Sequence, residues 1–377
     1  MTSATAFLDA LAGIGVRFVS GVPCSYFSAP LQLIDTHPDL TYVPAANEGG
    51  ALAAAAGAQL AGTGSAVLIQ NSGFGNLINP LTSLLLPYRI PVLIVMSMRG
   101  WPSATAGEPQ HRIMGQVIPS WLRTIDVPFA ELTAGGPRVT DVFDRAGQHL
   151  QQGDPVVLLV GKGAIEAAPA PGTAPPPGIT STTLVTTVLE QLRSDEPVLS
   201  TTGYLSRALF QAGDRPGNFY MQGSMGHVAA VALGVALRHP TQRVVALDGD
   251  GAALMHLGTF AAVGGAAPSN LVHIVFDNGG YESTGGQPVP ATVDFAAVAA
   301  ACGYRTTLTA SDQDGLRDTV THALSAPGPV LLTVRGVPGG AAGGTRASEG
   351  ITVDAIATRF QAQLTGPALH HSQRSDR

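Results

Sequence analysis

The stretch whose reading decides the fold runs from 243 to 280: RVVALDGDG (243–251), AALMHLGTFAAVGGAA (252–267), LVHIVF (271–276) and DNGG (277–280). VVAL and LVHIVF are short apolar runs with almost no polar alternation, as strands covered on both faces read. Between them apolar residues recur at helical spacing, which predicts one helix over 252–267. Strand, helix and strand in that order predict two neighbouring parallel strands joined by a right-handed crossover. Both strands then end at one edge of a sheet, where open α/β sheets bind their ligands.

That edge carries Asp248 and Asp250 on the first turn and Asn278 on the second, 28 residues after Asp250. A carboxylate, an amide oxygen and a glycine carbonyl form a hard oxygen site suited to magnesium. Gly249, Gly251 and Ala252 leave backbone N–H groups at a helix start, where phosphate is favoured. A magnesium ion bridging a diphosphate uses both features. The competing reading is a GDG turn and an unrelated Asn-Gly turn. The GDG alone favours that reading; the Asn at this spacing after a strand favours the ligand site.

Working outward, the alternation persists through 377 residues. Strands are expected at 17–20, 42–44, 66–70, 92–97 and 156–160, then at 198–200, 244–247, 271–276 and 330–334. The fold class is α/β, with two doubly wound parallel-sheet domains over 1–166 and 181–365. APAPGTAPPPG (168–178) is too rich in proline for a helix or a central strand, so 167–180 is expected as a linker. HHSQRSDR closes a polar tail over 366–377.

Composition removes other classes. Apolar residues make up 45% and charged residues 12%, enough for large cores and unlike disorder. A net charge of −6 without a long basic run argues against a nucleic-acid partner. Two cysteines, Cys24 and Cys302, exclude a disulfide framework. The first residues lack a basic start and carry Asp9, so they read as helix and strand rather than a signal peptide. No apolar run reaches the ~18 residues that span a bilayer. The expectation is a cytoplasmic protein with no membrane partner.

Five further motifs carry chemistry: GVPCSY (21–26), NEGG (47–50), QNSGFGN (70–76), EPQH (108–111) and GSMGH (223–227). Glu48 is the only charge in AANEGGALAAAAGAQLAG (45–62), between a short strand and an alanine-rich helix. An acid at a helix start commonly serves the dipole alone. Met225 reads equally as core packing, and Arg99 as a surface arginine at a strand end.

The GDG turn, its helix and the strand ending in Asn resemble the thiamine-diphosphate fingerprint. With ESTGGQ (282–287) added, the ordered motifs cover nearly the whole chain. They closely resemble the phosphonopyruvate decarboxylases, which lack the middle domain of pyruvate decarboxylases. Sulfopyruvate decarboxylases share most of them; EPQH and the GSMGH histidine lean towards the phosphonate enzymes. Asp277 stands where many members have Asn, Cys24 where several have Asp, and MRGWP (98–102) replaces a Trp-Arg-Gly pattern.

The resemblance implies decarboxylation of phosphonopyruvate in phosphonate biosynthesis, with thiamine diphosphate and Mg2+. Asp250, Asn278 and Gly280 would hold the metal, and Glu48 would hydrogen-bond the aminopyrimidine. Gly223, Ser224 and Gly226 would approach the cofactor, with Met225 wedged between its rings and Asn71 also in contact. His227 would bond a phosphate oxygen or cap its own turn. Ser25, Arg99 and His111 are the candidate substrate groups, a guanidinium suiting a phosphonate; His111 is also a candidate proton donor. A homodimer or larger homo-oligomer with sites between subunits is implied. The alternatives are a sulfopyruvate decarboxylase, a carboligase or oxidase on the same cofactor, and a non-catalytic regulatory subunit of the same fold.

Overall fold

The computed structural model describes residues 1–103, 107–168, 176–339 and 344–366. Two compact units result: Met1–Thr173 with Gly280–Thr292, and Ala174–Gly279 with Val293–Arg377. Residues 169–175 of the expected linker and 367–377 of the expected tail lie outside the described residues.

In the first unit, β1 (Val16–Gly21), β2 (Thr41–Pro44), β3 (Gly64–Gln70), β4 (Leu93–Ser97), β5 (Phe129–Leu132) and β6 (Val156–Val160) form one parallel sheet. Its order is β2-β1-β3-β4-β6-β5. Alternate residues of a strand feed opposite cores. Ala66 and Leu68 of β3 join Leu93 and Val95 of β4 on one face. Val67 and Ile69 join Ile94 and Met96 on the other. This double coverage is why those runs lack polar alternation.

The second unit repeats the plan with β7 (Val198–Ser200), β8 (Asn218–Tyr220), β9 (Val244–Gly249) and β10 (Leu271–Asp277). After a short hairpin of β11 (Gly280–Tyr281) and β12 (Gln287–Pro288), which groups with the first unit, β13 (Thr306–Ala310) and β14 (Val330–Arg335) complete it. The parallel order is β13-β14-β10-β9-β7-β8. In β9, Val245 and Leu247 enter one core while Val244 and Ala246 enter the other.

All nine expected strands form. β5, β8 and β13 were not expected, and all three lie at sheet edges. Their segments, FAEL, NFY and TTLTA, are short or polar because an edge strand needs less apolar cover. The single helix expected over 252–267 is instead two, Asp250–Met255 and Thr259–Ala266, broken around Gly258, a residue of poor helix propensity.

Candidate active site

In the first unit Asn47 caps the helix Glu48–Leu60, its side chain accepting from the Gly50 N–H at 2.8 Å. This places Glu48 at the helix start with only 5% of its surface exposed. Asn76 Nδ2 donates to Glu48 Oε2 at 2.7 Å. A Cβ added at Gly73 would lie 2.1 Å from Glu48 Oε1, so only glycine lets the QNSGFGN turn close on the carboxyl. Burial pushes the Glu48 carboxyl above its ordinary range, and the Asn76 hydrogen bond offsets part of that rise. Among the described residues no cationic side chain pairs with it. The arrangement suits a carboxyl that shares a proton.

A second cluster sits beyond the carboxyl ends of β1, β3 and β4. Asn71 is fully buried and clamps the main chain of Arg99: its Nδ2 donates to Arg99 O at 2.8 Å and its Oδ1 accepts from Arg99 N at 3.3 Å. The Arg99 guanidinium lies over the Tyr26 ring, 5.0 Å from its centroid, and Nη2 donates to Ser25 Oγ at 2.5 Å. Arg99 Nε is buried without a hydrogen-bond partner among the described residues. Cys24 Sγ lies 3.1 Å from Ser97 Oγ and 4.0 Å from Arg99 Nη2. The loop bearing His111 packs on the same corner, because a Cβ at Gly100 would meet His111 O at 2.4 Å. The candidate substrate residues Arg99 and Ser25 and the main chain of His111 thus lie at one corner, with Cys24 and Tyr26 beside them.

In the second unit Asp250 is 3% exposed. Its Oδ1 accepts from Gly251 N at 2.6 Å and its Oδ2 from Gly279 N at 2.7 Å, so the GDG turn and the residue after Asn278 meet on one carboxylate. Burial, with the Asp277 charge beside it, pushes the Asp250 carboxyl up to about 7. Asp277 itself is ion-paired to Arg335, its register partner on β14. That pairing accommodates a second acid beside Asp250 at this strand end. Asp250 has no such cation among the described residues. Asn278 is half-buried at the end of β10, and Gly280 follows two residues later.

The test for magnesium is the donor set. A buried carboxylate without a counter-cation, next to an amide side chain at a strand end, offers only hard oxygen. No group of three or more His, Cys, Asp or Glu that could hold a metal occurs among the described residues, which disfavours a softer site. These residues fit magnesium.

The test for a diphosphate lies beside β9. Ser200 and Thr201 end β7, the strand next to β9, where the order reverses, and they are 0% and 3% exposed. Both hydroxyls are buried with no hydrogen-bond partner among the described residues. Unmet donors at a topological switch point suit phosphate oxygens. The sequence reading missed this pair, because STTG (200–203) carries no charge or glycine spacing that marks it.

The GSMGH turn lies on the same unit. Ser224 and Gly226 take positive φ, +57° and +88°, on either side of Met225. A Cβ at Gly226 would lie 2.9 Å from Ala252 O, so the turn packs on the residues that follow GDG. A non-glycine residue in this region marks a site held by its surroundings. Gly223 opens the turn. His227 Nδ1 lies 3.2 Å from both Ser224 O and Met225 O, the geometry of a turn cap, and its ring stands 4.2 Å from that of His256.

Comparison with known proteins agrees. Residues 1–116 match the thiamine pyrophosphate enzyme N-terminal TPP binding domain and residues 201–334 the C-terminal TPP binding domain. A phosphonopyruvate decarboxylase of Streptomyces viridochromogenes is 39% identical, with 97% of this chain and 96% of that protein covered. One from Streptomyces hygroscopicus is also 39% identical, covering 97% and 95%. A sulfopyruvate decarboxylase of Methanosarcina acetivorans is 30% identical, covering 80% and 83%. With both cofactor-binding domains in one chain and near-complete coverage of these relatives, this chain belongs to the phosphonopyruvate decarboxylase family of thiamine pyrophosphate enzymes.

Proposed function

We propose that this chain catalyses the non-oxidative decarboxylation of phosphonopyruvate to phosphonoacetaldehyde and carbon dioxide, using thiamine diphosphate and Mg2+. The observation that carries the reading is Glu48: a buried carboxyl, raised above its ordinary range and bonded by Asn76, in a chain that also holds the Asp250–Asn278 edge. A buried carboxyl whose pKa is raised above its ordinary range is suited to share a proton with a bound partner. When bound, thiamine diphosphate supplies the nucleophilic carbon and the electron sink for the departing carboxylate.

The chain's own residues then take defined roles. Asp250, Asn278 and the Gly280 carbonyl hold the metal. Gly249, Gly251, Ala252, Gly223, Ser224, Gly226 and His227 line the cofactor's path, joined by the Ser200 and Thr201 hydroxyls. Met225, presented between two left-handed residues, would pack against the bound cofactor. Asn71 sets the backbone of Arg99. Arg99, Ser25 and His111 receive the substrate's second anion; a guanidinium with an unmet buried N–H gains from a phosphonate oxygen. His111 is the candidate proton donor to the product carbon. At least two chains assemble, Glu48 and Asp250 serving one cofactor from different subunits.

The test is direct. The protein is incubated with thiamine diphosphate, Mg2+ and either phosphonopyruvate or sulfopyruvate, and carbon dioxide and aldehyde are measured. Phosphonopyruvate is expected to turn over with the higher kcat/KM. Preference for sulfopyruvate would move the assignment to that activity, and turnover of neither would support a regulatory role.

A further inference from the structure

One face of the second sheet is interrupted by polar groups that the proposed chemistry does not use. Val244, Ala246, Val275, Phe260 and Phe295 make this core apolar. Within it lie Asp248 and His273, 1% and 0% exposed, and Tyr304 at 5%. His273 Nε2 is 3.3 Å from Asp248 Oδ2, and His273 Nδ1 is 3.1 Å from the Tyr304 hydroxyl. Asp248 Oδ1 accepts from the Gly249 N–H at 2.9 Å.

One donor assignment satisfies every atom. The Tyr304 O–H donates to Nδ1, Nε2–H donates to Asp248 Oδ2, and Gly249 N–H donates to Oδ1. Burial pushes the Tyr304 hydroxyl above its ordinary range, which keeps its proton in place for this role. Burying such a set costs several kcal/mol of desolvation, and a buried pair is weak evidence for stability. Apolar residues of similar volume would pack here at least as well. The network ends on the amide that leads into Asp250, whose own oxygens are set by Gly251 N and Gly279 N.

We propose that Tyr304, His273 and Asp248 are positioning residues: they fix the Asp248–Gly249 peptide, one residue before Asp250, and so hold its carboxylate ready for the divalent cation. This rests on the reading of Asp250 as a metal ligand. The first strand of the fingerprint thereby serves as a rigid support whose setting reaches from Tyr304, just ahead of β13, through β10 to β9.

The experiment measures Mn2+ affinity by electron paramagnetic resonance, with excess thiamine diphosphate, in wild type, Tyr304→Phe, Asp248→Asn, His273→Gln and Asp250→Ala. The thermal midpoint of each metal-free protein is recorded alongside. Tyr304→Phe removes one oxygen and keeps the ring, so it is the variant safest for folding. Partners behind metal ligands typically contribute about 10–100-fold in affinity, so Tyr304→Phe and Asp248→Asn are each expected to weaken Mn2+ about tenfold. Affinities within twofold of wild type in both, whatever the thermal midpoint does, would reduce the network to a structural one and overturn the proposal. Asp250→Ala separates the two readings. If it abolishes Mn2+ binding while Tyr304→Phe does not weaken it, the network proposal alone fails. If it keeps wild-type affinity, the metal-site reading fails and the network proposal falls with it.

Discussion

Glu48 and Asp250 are two buried carboxyls at the carboxyl edges of two similar sheets, yet their surroundings differ in kind. Glu48 meets a neutral amide, Asn76, and the bare backbone at Gly73. Asp250 meets two backbone N–H groups and the negative charge of Asp277. Both are raised chiefly by burial. The Glu48 surroundings tolerate a proton on the carboxyl, because an amide can donate to one oxygen while the other carries O–H. The Asp250 surroundings donate to both oxygens. On the proposed function, one fold then derives a proton carrier and a cation anchor from the same functional group.

The largest way to break this contrast is Glu48→Gln. An amide keeps the shape and cannot pass the proton, so kcat should fall about 10³-fold, within the range of general acid–base losses. Cofactor affinity, read by fluorescence titration, should stay within a few-fold. A variant with near-normal turnover would remove Glu48 from the chemistry.

Next comes the pH dependence of stability. Asp250 is raised from 3.8 to about 7 in the folded, metal-free protein. The folded state therefore binds the extra proton between those values. Its contribution is fully present below about pH 3.8 and is lost as pH rises through about 7. Chemical denaturation of metal-free protein should show stability falling by roughly 2–4 kcal/mol across that window, at about 1.4 kcal/mol per unit. Asp250→Asn should flatten the slope, and so should Mg2+ with thiamine diphosphate, because a cation favours the carboxylate. A slope unchanged in Asp250→Asn would assign it to other groups.

Gly73→Ala should have a smaller effect. The added methyl displaces Glu48 by an ångström or so, and misplacement on that scale costs on the order of 10–100-fold in kcat. Steady-state kinetics at saturating cofactor would show it, alongside a destabilisation of about 1–3 kcal/mol from overpacking. The smallest effect is expected for Asn76→Ala. Loss of that hydrogen bond should raise the Glu48 pKa further and move the corresponding limb of the kcat profile to higher pH. A shift to lower pH would contradict the role given to Asn76.

The same two carboxyls show how much could be read from residues alone. The Asp250–Asn278 pair was legible because strand, turn, helix and strand leave a spacing that survives in one dimension. Glu48 was not: its local pattern matches any acid at a helix start, and only resemblance singled it out. Gly73, Asn76, Ser200, Thr201 and Tyr304 stayed silent because their meaning lies in what they face. The strands divide likewise. Interior strands such as β4 and β10 are apolar on both faces and declare themselves. Edge strands such as β13, with threonines at half-exposed positions, read as loop. The break at 256–258 within the expected helix was hidden because Leu257 keeps the apolar rhythm across it.

The parallel pairing of β9 with β10 runs unbroken from Leu271↔Val244 to Phe276↔Gly249. Asp250 follows Gly249 directly, and Asn278 lies two residues beyond Phe276. A slip of one residue would move one ligand by about 3.3 Å and turn its strand's side chains over. A newly made chain with the wrong alignment would then find no partner for its ion. On the proposed assignment of Asp250 and Asn278 as ligands, cation affinity thus reports whether the two central strands have paired in register.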